Sequence, residues 1–132
     1  MAIKRDAADS WFSDCIRFRA EFQCQRCHRG FPGLVKGFEC CHIYGRANKS
    51  TRWDAGNAIA MCSGCHRRMT EHPLEFHDLL TKILGVGHLE LLRERRNKIL
   101  KTNKQLRMDI ARHYREEFRR MERECSTDLV SY

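Results

Sequence analysis

The chain has 132 residues, enough for one domain with a modest core, but small enough to gain stability from a metal staple. Lys and Arg outnumber Asp and Glu by 25 to 17, a net charge of +8. That excess points to a polyanionic partner, nucleic acid foremost, with a merely solubilising surface as the alternative. No segment is apolar for long enough to span a membrane, and the opening MAIKRDAADSWF lacks the apolar run of a secretion signal. No membrane partner is expected, and a reducing cytoplasm is the expected compartment, where paired cysteines bind metal rather than form disulfides.

In chain order, residues 7–22 predict a helix capped by Asp6 or Asp9, with Trp11, Cys15, Phe18 and Phe22 on one apolar face. From Cys24 to Asn57 the pattern breaks into short pieces. Gly30, Pro32, Gly33 and Gly37 mark turns around LV and FECCHIY, which read as a short two-stranded element. RANKSTRWDAGN, residues 46–57, is a polar loop anchored by Trp53. A short helix starts near Gly64 and stops before Pro73, which opens another helix over 73–84 with Phe76, Leu79, Leu80 and Ile83 on its apolar face.

Beyond Gly85-Val-Gly87, HLELLRERRNKIL and NKQLRMDIARHYREEFRRMERE are both amphipathic. Leu106, Ile110, Tyr114, Phe118 and Met121 form a stripe for core packing or helix pairing, which leaves a homodimer open. The expected fold is α+β in three stretches. Residues 1–23 form a helix packing on the core, 24–72 the core, and 73–132 a basic helical region. Basic residues outnumber acidic ones by eight to three between Cys24 and His72, and by twelve to seven between His88 and Glu124. The second run is a candidate further grip on the polyanion.

The eight cysteines are the sharpest signal. Cys24-Gln-Arg-Cys27 and Cys62-Ser-Gly-Cys65 are two C-x2-C knuckles separated by thirty-four residues. Together they supply four thiolates, a complete tetrahedral set for a structural Zn²⁺. A thioredoxin-like redox pair would need one such motif in a βαβ setting, and none is present. Because four thiolates saturate zinc, His66 is free for a second metal. Of the others, Cys40 is expected to pack inward, Cys15 to be a buried thiol and Cys125 an exposed one.

Cys41-His42 ending an apolar strand, Asn57 ending the loop and Cys62-x-x-Cys65-His66 fall in one order. This pattern resembles the HNH (ββα-metal) endonuclease family, whose His, Asn and His stations match His42, Asn57 and His66. The outer stretches DAADSWFSDCIRFRAEFQCQRC and FHDLLTKILGVGHLELL are similar to phage NinG-type recombination nucleases, as is the RW before the asparagine. The resemblance implies a ββα core with zinc knuckles, a single-metal phosphodiester hydrolase acting on nicked or branched recombination DNA, and other phage DNA-processing proteins as partners.

The chemistry is reasonable on its own terms. A neutral imidazole is a suitable base near pH 7, so His42 is the candidate general base. His66 is the candidate ligand of a catalytic Mg²⁺, Mn²⁺ or Zn²⁺, which offsets charge on the phosphate and the leaving 3′-oxygen. Asn57, as the family implies, positions the backbone of His42. Family members often carry Asp or His where Cys41 stands; Cys41 is either a ligand to that metal or a packed thiol. Arg46, Lys49, Arg52, Arg67 and Arg68 flank the centre as candidate phosphate contacts. The alternative is a catalytically silent, zinc-containing DNA-binding module.

Overall fold

A computed structural model describes residues 3–132 and is α+β, with six helices and one two-stranded sheet among those residues. Asp6 caps helix α1 (Ala7–Arg19). Its Oδ1 accepts from the Asp9 N–H, and Asp9 Oδ2 accepts from the Asp6 N–H, each at 3.0 Å. This reciprocal box satisfies two donors that a helix start otherwise leaves orphaned. The helix stops at Arg19 rather than Phe22, because Glu21 (φ 56°) and Phe22 (φ 57°) take left-handed conformations. Its deepest residues are Ala8, Phe12, Cys15 and Ile16, so the buried face is rotated from the predicted one.

The sheet corrects the expected pairing. Strand β1 (Phe38–His42) pairs antiparallel not with Leu34-Val35 but with β2 (Ala58–Cys62), placing Phe38 opposite Cys62 and His42 opposite Ala58. Leu34 and Val35 are exposed. AIAMC showed no alternation because both of its faces are covered. Phe38, Ala58 and Ala60 join a core built by α1 and the last helix, while Cys41, Ile59 and Met61 join a second core on the opposite face. A strand buried on both sides reads as a plain apolar run.

Between the strands lie a single turn, α2 (Lys49–Arg52), and a 3-10 turn over Ala55–Asn57. Helix α3 (Ser63–Glu71) leaves β2 through the second knuckle, followed by α4 (Pro73–Leu84) and α5 (Val86–Arg96). Phe76, Leu79, Leu80 and Ile83 of α4 pack on the cysteine-side core, as their spacing predicts. Helix α6 (Lys104–Glu124) returns to α1. The phenyl edge of Phe12 meets Tyr114 with centroids 5.1 Å apart, and the Cys15 thiol donates to the Tyr114 carbonyl at 3.1 Å. The predicted stripe of α6 is therefore core, with Ile110, Tyr114 and Met121 wholly or almost wholly buried.

Candidate metal centre and cleft

The two knuckles bring Cys24, Cys27, Cys62 and Cys65 together, their sulfurs all within 4.8 Å of one another. β1 and the turns before it form the intervening loop, and β2 returns the chain so that Cys62 caps α3 while Cys65 lies in its first turn. Cys27 Sγ and Cys62 Sγ are 3.8 Å apart, close to the edge of a tetrahedron with metal–sulfur bonds of about 2.3 Å. Burial raises the Cys24 thiol, but backbone hydrogen bonds at Cys27, Cys62 and Arg26 outweigh it and bring it down to about 7. Burial pushes Cys65 up to about 12, although Arg26 donates to its sulfur at 3.3 Å. Four sulfurs this close can all ionise only around a cation, and the set is positioned to bind a metal.

Asn57 is fully buried and pins the loop that follows β1. Its Oδ1 accepts from the Tyr44 N–H at 2.9 Å, while Nδ2 donates to Tyr44 O at 2.9 Å and Thr51 O at 3.0 Å. Its own carbonyl accepts from the Ile43 N–H at 2.8 Å. The two residues after His42 are thus fixed to one side chain and its peptide. That loop turn is braced again by His88 of α5, whose Nε2–H donates to Gly56 O at 2.7 Å. A Cβ at Gly56 would lie 3.1 Å from Arg95 and 3.2 Å from His88, so this close approach depends on glycine.

His42 ends β1 with its ring against Phe12 and its Nε2 3.1 Å from the Arg52 carbonyl. A carbonyl only accepts, so Nε2 carries the hydrogen and Nδ1 of the neutral ring keeps a lone pair. Burial lowers the His42 pKa, against a rise from the Arg52 hydrogen bond, which keeps the ring neutral near pH 7. Across the sheet edge, His66 Nδ1 meets Glu39 Oε1 at 2.9 Å. With Nδ1–H donated to the carboxylate, Nε2 of His66 keeps its lone pair, an arrangement common behind metal-bound histidines.

His42, His66 and Glu39 border one cleft of about 480 Å³, joined there by Asp9 and by Arg5, Arg17 and Arg46. A neutral imidazole, a carboxylate-backed imidazole and the guanidinium groups of Arg5 and Arg46 are suited to an anionic ester. Arg17 is engaged, donating to Asp14 at 2.6 Å and to the carbonyls of Ser13 and Phe38 at 3.3 Å. Glu39, Arg5 and Arg17 were not among the sequence candidates. Glu39 carried a signal nonetheless, as the lone acid in the apolar run FECCHIY.

Cys41, Lys49, Arg52, Arg67 and Arg68 lie outside this cleft. Cys41 alternates with His42, so it faces the opposite core, nearly fully buried, and does not border the cleft. Burial pushes its thiol up to about 12. Of the two readings, packed thiol or ligand, the packing favours the first. Arg52 is not a free phosphate contact: buried, it donates twice to Asp9, at 3.0 and 2.6 Å. Arg68 donates through two nitrogens to Glu75, each at 3.1 Å. Arg46 borders the cleft, Arg67 is exposed on α3, and Lys49 lines a separate hollow beside Trp53. Trp53 itself is buried as the loop's anchor, with the Arg52 guanidinium 4.8 Å over its ring.

No helix among the described residues is long and apolar enough to cross a membrane. Compared with protein-family models, with curated proteins and with solved structures, the chain matches none.

Proposed function

We propose that this chain is a metal-dependent DNA endonuclease of the HNH (ββα-metal) type, with zinc in its four-cysteine site. The observation that carries the reading is the meeting of His42 and His66 in one arginine-lined cleft, each with one ring nitrogen committed and the other left for chemistry. A pure binding module has no use for that pairing.

His42 Nδ1 takes a proton from water, whose oxygen attacks the phosphorus as the bond to the 3′-oxygen breaks. Arg46 and Arg5 hold the flanking phosphates, and Asn57 keeps the His42 backbone in place. His66 and Glu39 are the residues that would hold a hard divalent cation, Glu39 by supplying carboxylate oxygen or by orienting the imidazole. Bound there, that cation would offset the negative charge developing on the phosphate and the leaving oxygen. Contacts to phosphates carry little base information, which agrees with a structure-directed substrate such as nicked or branched recombination DNA in a phage setting.

Incubating supercoiled plasmid with the protein and Mg²⁺, Mn²⁺ or Zn²⁺ tests the activity. Nicked or linear product that is lost with His42→Ala is the expected result. Retarded but uncut DNA with all three metals would instead favour the silent DNA-binding module.

A further inference from the structure

Three consecutive carbonyls of the loop before Asn57 are taken by three different donors. Thr51 O accepts from Asn57 Nδ2, Arg52 O from His42 Nε2, and Trp53 O from the phenol of Tyr114. Tyr114 lies on α6, sixty-one residues further along the chain, and is fully buried without bordering the cleft.

Its hydroxyl is secured from the other side by residues 126–132, which run back along α6. The Val130 N–H donates to Glu117 Oε1 at 2.8 Å, and His113 Nε2–H donates to Val130 O at 2.7 Å. At the end of this strap, the Tyr132 N–H donates to Tyr114 Oη at 3.2 Å. Ser131 Oγ lies 3.4 Å from the same oxygen and accepts from the Ala55 N–H at 3.0 Å. With its oxygen receiving from the strap, the phenol directs its single proton to Trp53 O.

We propose that Tyr114, held by the Ser131–Tyr132 strap, is a positioning residue for His42. By fixing the Trp53 peptide it keeps the neighbouring Arg52 carbonyl on His42 Nε2, and so keeps Nδ1 as the unprotonated nitrogen. Without the hydroxyl, the loop between α2 and the 3-10 turn can rotate that carbonyl away, and the imidazole then samples both tautomers. The kinetic part of this proposal rests on the nuclease reading; the tautomer part does not.

Tyr114→Phe keeps the ring and its packing on Phe12 and removes only the hydroxyl. ¹⁵N spectra of histidine-labelled protein at neutral pH, with His42 assigned by its absence from His42→Ala, give the tautomer directly. Wild type is expected to show the Nε2–H form, and Tyr114→Phe a mixture. In cleavage assays kcat is expected to fall about tenfold, with KM for DNA, bound zinc and the far-ultraviolet dichroism unchanged. A wild-type tautomer in Tyr114→Phe overturns the proposal, even if kcat falls, since that fall would mark a structural effect only. A shifted tautomer in a protein that cuts no DNA supports it and removes the nuclease reading alone. Should Tyr114→Phe fail to fold, deletion of Ser131 and Tyr132 takes its place. It removes both groups that hold the phenol on Trp53 O, and an unchanged tautomer in that variant overturns the proposal equally.

Discussion

The two faces of the sheet are held by different physics. On one, α1 and α6 close an aromatic core from residues nearly a hundred positions apart, as the Cys15–Tyr114 hydrogen bond illustrates. On the other, four sulfurs, two knuckles and short helices gather around Ile59 and Met61. The first core rests on apolar area removed from water, while the second brings together four thiols positioned to bind a metal. The cleft lies on the seam between them. His42 faces the aromatic side, while Glu39 and His66 belong to the sulfur side. The proposed activity would draw on both faces, yet each can be broken alone.

The strongest break is on the sulfur side. Cys62→Ser removes one thiol of the four-sulfur set while its Oγ can still accept from the Cys65 N–H at the start of α3. The expected outcome is loss of one equivalent of bound zinc by elemental analysis and collapse of the α3–α4 region. Amide exchange should show α3 unprotected while part of the α1–α6 pair keeps its protection. Retained zinc and an unchanged melting temperature would show that this cysteine is not a ligand. Removal of zinc by a chelator should have the same signature in the wild-type protein.

Next in size is the chemistry at the seam. His42→Ala should leave zinc, fold and DNA affinity intact while slowing cleavage by about 10²-fold or more. His66→Ala should slow it as well and weaken the response to added Mg²⁺ or Mn²⁺. Near-normal turnover in the His42 variant would remove His42 as the general base.

A third break lies on the aromatic side. Asp9 and Arg52 form a buried, doubly hydrogen-bonded pair that ties α1 to the loop before Asn57. Arg52→Gln strands the carboxylate and should cost about 3 kcal/mol in denaturant titration, since removing one partner of a buried pair leaves an uncompensated charge. Burial raises the Asp9 pKa, but Arg52 and Asp6 outweigh it, leaving it below the ordinary 3.8. The sign follows from that depression. The pair's contribution is fully present above pH 3.8 and is lost as pH falls below it through the lowered folded value. Wild type should therefore lose stability in that acid window, and Arg52→Gln should lose much less there.

Legibility in the sequence followed the same division. The knuckles, the Pro73 start of α4 and the stripe of α6 were readable because each is a local pattern with a fixed spacing. β2 was not, since coverage on both faces erased its alternation. The buried face of α1 was rotated because Trp11 and Phe18, the largest aromatics at helical spacing, lie at its flank against Phe118. Arg52 read as a surface cation because its partner, Asp9, is forty-three residues away and the pairing exists only in the fold. Arg5 and Arg17 gave no signal for the converse reason: only folding brings α1 to the cleft.

The smallest effect separates cations on the cleft from those already engaged. Arg46 borders the cleft and has only a distant acid, Asp9 at 3.9 Å, whereas Arg68 is held at both nitrogens by Glu75. Removing one cation that neutralises a phosphate should flatten the slope of log affinity against log salt by about one unit. Arg46→Gln in the His42→Ala background, which binds without cutting, should show that change on duplex and branched DNA alike. Arg68→Gln should show little, because its charge is already balanced on the surface. The tail cannot be tested by deletion, since removing residues 88–132 would strip Ile110, Tyr114 and Met121 from the aromatic core. Point replacement of Arg96, whose guanidinium lies 5.1 Å over Tyr44, reaches the same question without unfolding the protein. A flattened slope for Arg96→Gln would extend the DNA surface from the cleft onto α5; an unchanged slope would confine it to α1 and the loop after β1.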